Sequence, residues 1–164
     1  MIGWVLVIAA SSLQAQDLVG RHTPPYPDGL ALIHASCMSD SPQLGLACGH
    51  SVAVLGAPAA AGATPVVRFV IASRRAGMSG DSLRWEIVDA LPYPAAGPGR
   101  YFQSGSCRLD GVADVQVVAV VNDADPARDR VTDIAWAARL DLPEARFTVL
   151  DAARVDCENE AYGL

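Results

Sequence analysis

Residues 112–121 read Val-Ala-Asp-Val-Gln-Val-Val-Ala-Val-Val, the longest β-branched apolar run beyond the amino-terminal segment, with neither Gly nor Pro inside it. Valine loses χ1 freedom on a helix and packs well on a pleated surface, so the run is expected to be one strand. Unbroken apolar character over 117–121 implies cover on both faces, as in the wall of a sandwich or barrel. Turn chemistry brackets it: Gly105-Ser106-Cys107-Arg108-Leu109-Asp110-Gly111 upstream and Asn122-Asp123-Ala124-Asp125-Pro126 downstream.

Working outward, further extended runs follow the same logic. Residues 30–36, 51–55, 65–73, 82–90, 100–109, 131–140 and 146–150 carry alternating or continuous apolar patterns separated by Gly, Pro, Ser and Asp clusters. Residues 65–73 and 82–90 are expected to form a hairpin with a longish loop over 74–81. In 131–140, Ile134, Trp136, Ala138 and Leu140 should face one way, with Asp133, Ala135, Ala137, Arg139 and Asp141 opposite. In 30–36, Leu30, Leu32 and His34 should share a side. Residues 151–157 run on to the last cysteine. No amphipathic helix longer than two turns and no internal repeat is evident. The expected fold is all-β: a single-domain antiparallel sandwich or barrel of about eight strands.

The amino terminus reads differently. Residues 2–10 are apolar and uncharged, too short for a membrane helix, and small or polar residues follow up to Ala15. That is the layout of a signal peptide, here without the usual basic residue before the apolar run. The expected organisation is a cleaved signal segment over 1–15, a Pro-rich arm over 16–29, one β domain over 30–157 and a tail over 158–164. Cleavage leaves 149 of the 164 residues, enough for one domain with its own core. No cysteine stands at the cut, so no lipid anchor is expected, nor any membrane insertion once the signal is removed.

All twelve basic residues are arginine, and the net charge is −6. An acidic chain without a basic stripe is not expected to bind nucleic acid or an anionic membrane. Cys37, Cys48, Cys107 and Cys157 form an even set, which in an exported chain favours two disulfides. Three pairings are possible, and the reading adopted joins Cys37 to Cys48 as a local clip and Cys107 to Cys157 as a long tie.

Candidate chemistry is sparse. His34, Cys37, Cys48 and His50 could supply four zinc ligands, although their spacing matches no standard finger and export favours cysteine oxidation. Ser79 lacks the Gly-x-Ser-x-Gly turn of a nucleophile, and of the three histidines His22 lies in the Pro-rich arm. Asn122, Asp123, Asp125, Asp129 and Asp133 could offer oxygens to calcium, but no EF-hand register is present and Arg128 and Arg130 are interleaved. Trp85 and Trp136 read as core. Of the adjacent pair Tyr101-Phe102, one ring is expected to point outward and mark a binding surface. No catalytic residue and no cofactor is assigned. The expectation is an exported, periplasmic or secreted, non-enzymatic β domain whose partner is another protein. The alternative is a small secreted hydrolase using a metal or carboxylates.

Overall fold

The computed structural model describes residues 13–38, 48–122 and 125–163. The strands, in chain order, are β1 (His22–Thr23), β2 (Ala31–Met38), β3 (His50–Ala57), β4 (Val66–Ser79) and β5 (Ser82–Pro92). They continue with β6 (Tyr101–Ser104), β7 (Cys107–Leu109), β8 (Val112–Ala113), β9 (Val117–Val121) and β10 (Arg130–Val131). The last three are β11 (Ile134–Asp141), β12 (Arg146–Leu150) and β13 (Val155–Glu158). The described residues hold two short 3-10 turns, Ala15–Leu18 and Ala152–Arg154, and no helix long and apolar enough to cross a membrane.

All-β architecture is therefore correct; the barrel and the count of eight are not. The strands form three antiparallel sheets, ordered β1-β5-β4-β3-β2, β12-β11-β9-β6 and β10-β13-β7-β8. The second sheet lies between the other two. Val118, Ala138, Leu140 and Phe147 on one of its faces meet Met38, Val52, Val70 and Ala72 of the first sheet. Val117, Ala119, Val121 and Ala137 on the other meet Cys107, Val131, Val155 and Cys157 of the third. Burying both faces of β9 explains its near-continuous valine: all five residues of Val117–Val121 are fully buried. The first sheet's remaining face carries Leu55, Phe69, Ile71 and Ile87, covered by Leu18 and Leu30 from the segment before β2.

The long strand expected over 112–121 is broken, and Asp114 breaks it. Its Oδ1 accepts the Gln116 N–H at 2.9 Å and its carbonyl accepts the Val117 N–H at 3.1 Å, an Asx-type turn that outcompetes the β preference of the valines. Arg139 Nε holds the other carboxylate oxygen at 2.8 Å. β8 thus joins the third sheet, β9 the second, and Val112 and Val115 stay exposed. The strand expected over 100–109 divides likewise at Gly105, whose φ of 81° turns the chain from one sheet to another.

The hairpin over β4 and β5 is correct, but its loop is short. The strands run on to Ser79 and Ser82, with Gly80-Asp81 between them and a bulge between Arg75 and Met78. Bulges also overturn two of the expected face assignments. One between Ile134 and Trp136 puts Ile134 with Val121 and Ala137, and Trp136 with Val118 and Leu140. One between Leu32 and His34 breaks the expected side of β2.

The Pro-rich arm is part of the first sheet's edge. Gly20 N–H donates to the Ile87 carbonyl at 2.8 Å, the Ile87 N–H to the Arg21 carbonyl at 2.9 Å, and β1 pairs with β5. The prolines themselves stay out of the ladder, as their missing N–H requires. Of the expected signal segment, residues 1–12 lie outside the described residues, while Leu13 and Ala15 pack beside Leu18.

Candidate functional site

Both disulfides join the expected partners. Cys37–Cys48 closes a span of 11 residues and Cys107–Cys157 one of 50. Cys107 and Cys157 face each other across β7 and β13 with Cα atoms 3.9 Å apart. All four cysteines are oxidised, the state expected of a protein matured in an oxidising compartment.

The disulfide takes both sulfurs of the conceivable zinc set, and the sheet separates the histidines from them. His34 and Ser36 lie on the face of β2 turned toward β6: His34 shares a 3.0 Å hydrogen bond with Ser36 Oγ, and its ring meets that of Phe102 at a tilt of 59°, centroids 5.9 Å apart. The Ser36 hydroxyl in turn accepts a 2.7 Å hydrogen bond from Ser104 Oγ. His50 stands opposite Met38, four register positions from His34, and Cys37 alternates to the opposite face from Ser36 and Met38. No cluster of metal-ligating side chains is present among the described residues.

The other candidates are also placed. Ser79 pairs with Ser82 at the exposed hairpin tip, whereas His22 pairs with Glu86 on the sheet edge. Asp123 lies outside the described residues. Asp125 is held by Arg128 at 3.2 Å, and Asp133 by Arg100 at 2.7 Å and Asn122 at 3.1 Å. Those hydrogen bonds from Arg100 and Asn122 hold the Asp133 carboxyl below its usual range. Asp125 and Asp133 are thus already engaged by the guanidinium groups of Arg128 and Arg100, as exposed ion pairs. Tyr101 and Phe102 do take opposite faces, but neither points outward: Tyr101 packs toward the third sheet and Phe102 toward the first.

A groove does form on the outer face of the first sheet. Its floor is two cross-strand rows, Ala35–Ala53–Ile71 and Cys37–Ser51–Ser73, set by the registers of β2, β3 and β4. Leu32 stands at one side and Trp85 and Tyr26 at the other, with the Cys37–Cys48 bridge at one end. The groove encloses about 230 Å³, with mainly apolar walls and hydroxyls from Ser51, Ser73 and Thr23. Burial pushes the Tyr26 phenol up, and its hydrogen bond with Thr23 only partly opposes this, so it stays neutral at physiological pH. Trp85 therefore belongs to the groove rather than to the core. The part of Tyr26 is invisible in sequence: Pro24-Pro25-Tyr26-Pro27 reads as an irregular arm, and only the pairing of β1 with β5 brings that arm over the sheet.

Comparisons of the chain with protein-family models, with curated proteins and with solved structures find no match.

Proposed function

We propose that the chain is an exported, non-enzymatic binding domain, periplasmic or secreted, and that its partner is another protein presenting an apolar side chain to the groove between the Pro-rich arm and the first sheet. The groove carries this reading. Its volume of about 230 Å³ falls short of the roughly 300–1,000 Å³ typical of whole small-molecule sites, and suits a side chain better than a free metabolite. Its composition, apolar walls with a few hydroxyls, is that of a pocket that anchors one hydrophobic group and orients it with hydrogen bonds. The two disulfides support an oxidising compartment.

Leu32 allows a direct test, because it lines the groove and is 44% exposed, so a charge there costs the fold little. A photo-cross-linker at position 32 should capture one partner from the exported fraction, and Leu32→Asp should abolish its binding while leaving the unfolding midpoint near wild type. Equal partner retention by Leu32→Asp would overturn the reading.

A further inference from the structure

Arginine in this protein is mostly spoken for. Seven of the twelve, Arg74, Arg100, Arg108, Arg128, Arg130, Arg139 and Arg154, form ion pairs among the described residues. Of the five that do not, Arg21 and Arg84 line one and the same cavity, an open hollow of about 480 Å³ beside the groove. His22 lines it too, and adds a ring N–H donor, and Tyr26 and Asp28 approach from the arm. Arg21 Nε donates to the Asp17 carbonyl at 2.7 Å, which fixes that side chain without neutralising it. Arg84 is the sharper observation. Its Nε is buried and meets no acceptor among the described residues. A buried guanidinium N–H without a protein acceptor calls for an explanation, and an ion drawn to the same guanidinium is one.

We infer that this cavity is a binding site for an oxyanion, a phosphate or a carboxylate, held by the guanidinium groups of Arg21 and Arg84 with the His22 ring as a further donor. Two guanidiniums against the single carboxylate of Asp28 leave a local positive excess on a chain whose net charge is −6. Guanidinium is the side chain best suited to such a ligand, because its planar fork matches the oxygens of carboxylate and phosphate two at a time. The backbone makes the placement firm: β1 sets His22 opposite Glu86 and Thr23 opposite Trp85, next to Arg84 on β5. The site goes beyond the proposed groove and needs no apolar ligand.

The test follows the Arg84 Nε–H and His22 ring resonances by NMR while inorganic phosphate or acetate is added at constant ionic strength set with chloride. Saturable shifts at both residues are expected, with affinity at least tenfold weaker in Arg84→Gln and in Arg21→Gln, and unchanged in Arg146→Gln, whose side chain lies outside the cavity. Saturation by phosphate alone identifies a phosphate site, and saturation by acetate as well identifies one open to carboxylates. Absence of saturation with both anions, or equal shifts at arginines elsewhere on the surface, overturns the proposal. The fold of each variant is checked by its unfolding midpoint, and Arg21→Gln keeps the test intact if Arg84→Gln unfolds. Leu32→Asp should leave phosphate binding unchanged, so failure of the groove and failure of the anion site are told apart.

Discussion

Asp89 on β5 accepts the backbone N–H of Phe147 on β12 at 2.7 Å, a hydrogen bond that crosses from the first sheet to the second. Among the described residues β12 is an edge strand paired with β11 alone, so this carboxylate satisfies a donor the ladder leaves open. Its other oxygen accepts the Ala90 N–H at 2.9 Å, which holds the side chain in place. Asp89→Ala should lower stability by about 1–3 kcal/mol, the usual cost of orphaning a part-buried donor of this kind. Urea unfolding measures the loss, and the Phe147 amide should exchange faster than its neighbours. Asp89→Asn keeps one acceptor oxygen and should cost less.

Asp156 sits between two guanidinium groups, bonded by Arg108 Nε at 2.8 Å and Arg130 Nε at 2.7 Å. Burial raises its carboxyl, but the hydrogen bonds and charges of Arg108 and Arg130 outweigh that and hold it below the usual range. A carboxylate depressed in the folded state contributes stability that is full above the ordinary value, near 3.9, and is lost as pH falls through the depressed one. Asp156→Asn should therefore cost about 1–2 kcal/mol at pH 7, at the low end for a charged network because the Arg108 side chain is 38% exposed. The gap between wild type and variant should close as the pH drops from 5 toward 2. Unfolding midpoints across that range check it, and a gap that stays constant would remove the ion pairs from the account.

What could be read without coordinates was what side-chain type alone determines. Five successive apolar residues, Val117–Val121, carry their own evidence of burial on both faces, and Arg146–Leu150 forms over the residues its pattern marks. The disulfide pairing is only half legible: the even set of cysteines implies two bridges, but spacing leaves three pairings open, and the adopted one is the one that forms. What could not be read depended on competition between residues distant in sequence. Asp114 looks like one more polar position in a valine strand until Arg139 and the Gln116 N–H claim its two oxygens. The bulges before His34 and before Trp136 add one residue each and leave no compositional mark, yet each reverses every side chain beyond it. The candidate groove and anion cavity were hidden for the same reason: both need the arm to pair with β5, and a two-residue strand has no periodicity to detect.

Gly56 is held to glycine by close approach rather than by a turn. A Cβ there would overlap the Val66 carbonyl oxygen on β4 and Ile33 Cδ1 on β2, at a bulge between Leu55 and Gly56. The Ile33 side chain can swing aside, but the carbonyl belongs to the paired backbone. Gly56→Ala should destabilise by about 1–3 kcal/mol, as overpacking does in a closed site. Gly49, which has open space around its Cβ position, serves as the control. Gly49→Ala should stay within about 0.5 kcal/mol of wild type.

The two disulfides should differ in worth because they close loops of different length. Cys107–Cys157 spans 50 residues and Cys37–Cys48 spans 11. On chain entropy, the long link should contribute about 4 kcal/mol and the short one about 3 kcal/mol. Packing widens the difference: Cys107 and Cys157 are both buried within the cluster that covers the outer face of β9, so replacing them also opens a cavity there. The Cys107→Ala, Cys157→Ala double variant should therefore unfold at lower urea than the Cys37→Ala, Cys48→Ala variant. The latter bridge flanks the candidate groove, so its loss should weaken partner binding by more than its effect on stability explains. Measuring both quantities on both variants separates the roles: a short-link variant that binds normally would show that this bridge only closes a loop.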